Sequence, residues 1–444
     1  MAEPAARGSG SVGRVLRWVR DSQVARQFGW LAAAKVVQGV AGLAATLAVA
    51  RALGPVEFGA LSLAIAIASF VAMIAALGLE QVATRDLVAT GSGPRTLRLL
   101  RRLRWSGALV GAVVLVAVAV LPQVRALGAG PALLVLALLP LAQVGDLAEW
   151  RLLAAGQGRH VAMAVVAVSP LAALVRVALA FAGEGALAFA WVLVGEWALR
   201  SLLMMAAARS QEARRDEGAP PALREALELL RESTPLLLAG IAVFAYMRID
   251  QFMIAAMLGQ QQVGLYSAVV TLAELPLVLP TLLLRAALPT LARQSQESPA
   301  RRDRTLLRLM GMSLYLHLGV ALVLALLAEP LVVLAYGEAY RPAVAAFRIQ
   351  VLAAPLVALG VLSSGWLVLE RRTGHALRRT LLGAVANVAL NVFLIPAHGI
   401  AGAAFATLVS QALATWLADA AYRDTRGLFM MKTRALWPGN WSRS

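Results

Sequence analysis

The chain has 444 residues, 60% of them hydrophobic, a formal net charge of +17 at pH 7 and no cysteine. Soluble domains are roughly 45–50% apolar, so a water-soluble globule cannot hide this much apolar surface, and the mean hydropathy of +0.74 says the same. The missing cysteines exclude disulfides, thiolate metal sites and thiol nucleophiles.

Residues 1–26 form a polar, basic arm. Arg14, Arg17 and Arg20 share one helical stripe and Val12, Leu16 and Val19 another, which predicts an amphipathic helix on the inner membrane surface. No secretory signal is apparent, because the first apolar run is too long for one. Apolar runs long enough to cross a bilayer's hydrocarbon core then follow at 27–53, 58–79, 105–126, 131–154, 160–182 and 186–208. Residues 209–232 mix both charge signs and contain Gly218, Pro220 and Pro221, the composition of a linker between two bundles. Ser233-Thr234-Pro235 supplies hydroxyl caps and a first-turn proline, predicting the start of the next span there. Further runs lie at 234–258, 263–291, 307–328, 343–369, 377–396 and 399–421, and 423–444 is a polar tail. The boundary at 329–342, with Glu329-Pro330 and Tyr336-Gly337-Glu338-Ala339-Tyr340, is the least sharply drawn. The expected fold is therefore an all-α polytopic membrane protein of about 12 spans, with a first bundle at 27–208 and a second at 233–422.

With both termini cytoplasmic, the inner segments carry 32 of the 41 Lys and Arg, while the outer loops hold only Arg51, Arg125 and Arg341. That asymmetry is the positive-inside pattern. It accounts for the basic residues without nucleic acid as a partner.

Leu53-Gly54-Pro55-Val56-Glu57-Phe58-Gly59-Ala60-Leu61-Ser62 reappears as Leu258-Gly259-Gln260-Gln261-Gln262-Val263-Gly264-Leu265-Tyr266-Ser267. Ala188-Phe189-Ala190 similarly corresponds to Ala404-Phe405-Ala406. Two copies of six spans enter the membrane with the same orientation, giving a parallel repeat and a central cavity between the bundles.

An ionised side chain at mid-bilayer costs about 2.5–3.5 kcal/mol on insertion scales, so it needs a partner, a wet cavity or a neutral form. Arg248 and Asp250 sit roughly 200° apart on one helix and must face different directions. Lys35 is deep enough in its span either to meet a phosphate or to snorkel inward. Arg285, near the inner end of its span, reads more readily as a snorkelling residue. Arg176 has Asn391 at its counterpart position in the second half, which suggests a polar lining. Asp146 and Glu149 share one face of their span, near Arg151, and are a structural pair or a cation or proton site. Glu196 is expected to pair with Arg200, four residues on. Glu274 has no base within helical reach, and Pro276 and Pro280 should kink its helix; it is a neutral, locally bonded carboxyl or a coupling site. The histidines His160, His317, His375 and His398 lack ligand spacing, and no phosphate-cradling Gly-Lys-Ser/Thr loop occurs. No metal or cofactor is expected, and transport must draw on an ion or potential gradient, the substrate gradient, or consumption of product outside. Tyr340, Trp366, Trp437 and Trp441 read as interface anchors.

Four stretches carry a resemblance: Ala50 to Gly59, Tyr246-Met247-Arg248-Ile249-Asp250, Val263-Gly264-Leu265-Tyr266, and Asn387 to Pro396 running into Gly399-Ile400-Ala401-Gly402-Ala403-Ala404. The chain resembles Wzx-type polysaccharide flippases of the superfamily that includes multidrug exporters and lipid II flippases, and the shared stretches span nearly its whole length. The resemblance implies a bacterial inner-membrane, MATE-like protein that moves undecaprenyl-diphosphate-linked oligosaccharide from the cytoplasmic to the periplasmic leaflet, a transporter rather than an enzyme. In that family spans one, two, seven and eight line the gap between bundles, which favours Lys35 and Arg248. Together with Arg176 and Asn391 these are the expected substrate-binding residues, with Asp250, Glu274, Asp146 and Glu149 as coupling candidates. Arg248 is expected to matter more than Arg285. Membrane lipids, a polysaccharide polymerase and glycosyltransferases are the expected partners, and a monomer is favoured. A cation-coupled multidrug exporter is the alternative, though four buried bases (Lys35, Arg176, Arg248, Arg285) fit its cavity poorly.

Overall fold

The computed structural model describes residues 23–89, 93–209 and 223–439. The expected surface helix within 1–26 and most of the linker lie outside those residues, as does Trp441. Among the described residues the regular structure is all helical, and nine helices are long and apolar enough to cross a membrane. A tenth is the bent pair Glu338–Val351 and Ala354–Leu369, angled by 40°.

In chain order these are α1 (Gln23–Ala75), the short α2 (Leu79–Ala89), α3 (Pro94–Ala119), the segmented α4 (Gly130–Ala154), α5 (Gly158–Phe181) and α6 (Ala186–Arg209). The second half holds α7 (Leu223–Leu258), α8 (Gln260–Glu297), α9 (Pro299–Leu326) and the short α10 (Ala328–Tyr336). It continues with the bent pair as α11, α12 (Gly374–Ala421) and the tail helix α13 (Arg426–Ala435). At 1.5 Å per residue the 53 residues of α1 would run about 80 Å if straight, far beyond a core about 30 Å thick. Gly54 breaks it with φ 67° and ψ 172°, and Gly259 stands between α7 and α8 with φ 84° and ψ 178°. The repeated Leu-Gly pair is therefore one backbone reversal made twice, in a conformation only glycine adopts cheaply. Gly399, at φ 59°, divides α12 likewise.

The 329–342 boundary is resolved into a short helix and a helical turn. There α10 and the turn Glu338–Ala343 cap the end of the molecule away from the termini, here termed the far end. Tyr340 is fully buried, not an interface anchor: its hydroxyl donates to Ala50 O at 2.9 Å and its ring packs edge-on against Phe58 at 6.5 Å. The far end of the first half has closed over it. A buried neutral hydrogen bond contributes about 0.5–1.5 kcal/mol, so Tyr340→Phe should lower detergent-solubilised stability by about that much in a thermal melt. Trp366, on α11, is also buried, beneath the Arg302 guanidinium at 5.8 Å, because it belongs to an apolar cluster with side chains of α8, α9 and α13; Trp437 is exposed.

Ser233-Thr234-Pro235 does not start a helix. α7 begins at Leu223, and Pro235 lies inside it. Tertiary packing overrides the local signal: Leu229 joins a cluster with Leu79, Val82, Leu87 and Trp150, and the Ser233 and Thr234 hydroxyls donate to Leu230 O beside the proline.

The tail is held by buried charge. The Lys432 Nζ, fully buried, donates to Thr415 O at 2.5 Å and to Asp419 Oδ2 at 2.6 Å. Residues Leu413–Leu417 form a π-helical turn, which loosens the ladder and leaves a carbonyl free for Lys432. His375 Nε2 lies 2.8 Å from Asp419 Oδ1, and Arg379 Nη1 is 3.8 Å from Oδ2. Burial, seconded by the Arg379 charge, pushes Lys432 down from 10.5 to about 7 against the pull of Asp419. A detached tail would regain its ordinary value and bind more protons between those limits. Docking should therefore strengthen as pH rises from about 7 toward 10.5 and stay level below 7. Protease resistance of α13 across that range should show this slope, and Lys432→Met should flatten it.

Candidate functional site: a polar cavity in the first half and nearby cations

Helices α1, α5 and α6 enclose a cavity of about 210 Å³ lined by Gln38, Ser169, Arg176, Glu196, Trp197 and Arg200, among others. Arg176 pairs with Glu196, which also accepts from Ser169 Oγ at 3.1 Å. Arg200 instead crosses to Glu149 of α4 at 2.9 Å, its guanidinium 4.7 Å over the Trp197 ring. The expected Glu196 to Arg200 pair is thus replaced by two pairs between helices. Each carboxylate finds its base on a facing helix.

Lys35 lies just below this cavity on α1. Its Nζ donates to the neutral Gln38 Oε1 at 3.2 Å, and Arg200, Glu149 and, from α8 in the other half, Arg285 lie within its electrostatic reach. Arg285 and Lys35 are both exposed, and among the described residues neither makes an ion pair. Each half therefore presents a cation without an ion-pair partner among the described residues, with Arg200, Glu149 and Glu80 acting on Lys35 from a distance. Lys35 supplies a compact point charge and Arg285 a planar fork, both suited to phosphate oxygens.

The other charged residues are more fully committed. Arg104 is completely buried and donates to Ala75 O and Gln143 O at 3.0 Å each, and to Asp146 Oδ2 at 3.3 Å. Asp146 and Glu149 thus face two different arginines. Arg248 and Asp250 diverge as their spacing requires. Arg248 lies 3.6 Å from Glu274 of α8, each about a third exposed, whereas buried Asp250 accepts from the Tyr266 hydroxyl and from Gln251 N at 2.8 Å. Asn391 does not line a cavity: it is fully buried and donates to Asn387 Oδ1 at 2.9 Å. Asn387 in turn reaches Thr407 and Ser410 at 3.4 Å, so the amides fill the seam between the two pieces of α12.

His317 carries a role that its isolation in the sequence concealed. Buried on α9, it places Nδ1 2.7 Å from Ser313 O and Nε2 3.1 Å from Pro276 O. The turn Leu275–Leu277 interrupts α8 at its proline, and the imidazole occupies a carbonyl freed there. Pro280 was the signal, since it lacks the N–H that would otherwise reach Pro276 O. Among the described residues no three His, Asp or Glu side chains gather as a metal site would require.

Comparison with known proteins places this arrangement. The profile of a family described as polysaccharide biosynthesis protein matches residues 48–345. The chain belongs to that family. A search of curated proteins found no matching relative. Among solved structures, the chain is similar to the inward-facing conformation of a multidrug resistance MATE family transporter of the MOP superfamily. The TM-score is 0.67 at 17% identity, over 89% of this chain and 96% of that one. It is similar to the lipid II flippase MurJ in an inward closed conformation with TM-score 0.68 at 13% identity, over 91% and 90% of the two chains. A third is a MOP superfamily transporter from Pyrococcus furiosus, whose description notes a binding pocket of reverse polarity suggesting a different function. It has TM-score 0.58 and 14% identity over 97% and 100%. This polysaccharide biosynthesis protein is thus a multi-pass membrane protein with the fold shared by MATE transporters and lipid II flippases.

Proposed function

We propose that this polysaccharide biosynthesis protein is a flippase for an undecaprenyl-diphosphate-linked oligosaccharide. It carries its substrate from the cytoplasmic to the periplasmic leaflet of a bacterial inner membrane by alternating access between its two halves. The observation that carries the reading is that Lys35 and Arg285, one cation from each half, lie within electrostatic reach of each other and that among the described residues neither forms an ion pair. A diphosphate bound between them would neutralise both and draw the halves together, while the glycan occupies the polar cavity beside Arg176 and Arg200. The lipid tail stays in the bilayer beside the gap. The excess of Lys and Arg in the segments on the termini side orients the chain with its termini in the cytoplasm, so the far end faces the enzymes that consume the product. Glu274, held only loosely by Arg248, is the coupling candidate with a partner it can exchange.

Native mass spectrometry of the purified protein tests this. The lipid diphosphate oligosaccharide should bind at least tenfold more tightly than the same glycan on a monophosphate, and Lys35→Ala should erase the difference. Retention of a cationic dye with no preference for the diphosphate would instead support a multidrug exporter and overturn the flippase reading.

A further inference from the structure

The two glycines that end the repeated motif meet each other. Gly59 follows the reversal at Gly54, and Gly264 follows the reversal at Gly259 by the same step. A Cβ on Gly59 would lie 1.9 Å from Gln260 O and 2.8 Å from Gly264 N. A Cβ on Gly264 would lie 1.9 Å from Pro55 O and 2.9 Å from Gly59 N. Each glycine therefore abuts the carbonyl one helical turn before its counterpart in the other half. The contact is backbone against backbone and symmetric about the axis relating the repeats. Carbon to carbonyl-oxygen contacts settle at about 3.3–3.6 Å, so one methyl on either glycine forces the helices apart by more than about 1 Å. No side chain is present at the contact to absorb that by changing rotamer.

The other far-end links between the halves in this region combine hydrogen bonds with apolar packing around Phe58 and Tyr340. Tyr340 donates to Ala50 O, and Arg51 Nη1 donates to Leu334 O at 3.1 Å. The atoms nearest to each glycine across the contact are backbone, whereas Leu79, Leu87 and Leu229 join the halves near the termini through side chains. Small residues allow such close crossings in membranes, and a rocking motion about the repeat axis would separate both glycines from both carbonyls at once.

We propose that Gly59 and Gly264 form the far-end closure point, the contact that must part for the cleft to open away from the termini. This rests on the reading of the chain as an alternating-access transporter, and it names the residues that set which side is sealed. With a methyl at either position the far end cannot close, so the resting population shifts to the far-open state.

The cysteine-free sequence allows a direct test by double electron–electron resonance in nanodiscs, without substrate. Spin labels at Arg125→Cys in the first half and Glu338→Cys in the second, both exposed, report far-end separation. Gly59→Ala and Gly264→Ala should each move the main distance population longer, and the double variant no further than either single one. Gly39→Ala and Gly319→Ala, where a Cβ meets nothing within 4 Å, should leave it unchanged. Unchanged distances in the closure variants would overturn the proposal. So would failure of both to fold while the controls fold, because the contact would then be static core. If only one folds, its distance decides alone. Because no substrate is present, a wrong substrate assignment leaves this result untouched.

Discussion

Lys35→Ala should slow translocation of a lipid-linked oligosaccharide about 10- to 100-fold at equal membrane abundance. A hydrogen bond to a charged group is worth about 1.5–3 kcal/mol, and about 1.36 kcal/mol corresponds to tenfold. Among the described residues Lys35 makes no ion pair that its removal would orphan, so the loss reports on substrate and not on folding. Lys35→Arg should retain most activity. Arg285→Ala should fall in the same range, and the double variant should lose less than the sum, because both cations would serve one diphosphate. The geometry reverses the ranking expected from the spans alone. Arg248 is engaged with Glu274, whereas Arg285 has no carboxylate partner among the described residues and lies near Lys35. Initial rates in sealed proteoliposomes, single and double variants side by side, measure all of this.

Asp419→Ala should destabilise the termini end of the second half by about 3–5 kcal/mol, the cost of leaving buried charge without its partner. Asp419 is fully buried and is the only carboxylate within ion-pair distance of Lys432, His375 and Arg379 among the described residues. The variant should lose protease protection of α13 and melt at lower temperature in detergent. Adding Lys432→Met should recover much of the loss, since a buried pair replaced by apolar groups is often near neutral. A single variant as stable and as protected as the parent protein would mean that this cluster does not hold the tail.

The repeat was legible because its glycines do conformational work. Gly54 and Gly259 adopt positive φ, where a side chain would be strained, and Gly59 and Gly264 allow a backbone crossing that a Cβ would obstruct. The layout of Lys and Arg was equally readable, since the bilayer imposes it along the chain. Partnerships were not. A sequence exposes neighbours three and four residues apart, whereas Arg176 finds Glu196, Arg200 finds Glu149 and Arg248 finds Glu274 across helix interfaces. Depth was readable but facing was not, which is why Asn391, level with Arg176 by the repeat offset, turns into the seam of α12. Tyr340 looked amphipathic enough for an interface and instead fills the joint between the halves, because burial of its hydroxyl depends on Ala50, 290 residues away.

The most direct measurement follows a fluorescent undecaprenyl-diphosphate oligosaccharide across sealed proteoliposomes containing this polysaccharide biosynthesis protein, with a cationic dye as rival substrate. The account predicts that the lipid-linked glycan crosses, that the dye does not, and that Lys35→Ala and Arg285→Ala each suppress the crossing. Dye export with a stationary glycan, or glycan movement indifferent to both substitutions, would contradict it.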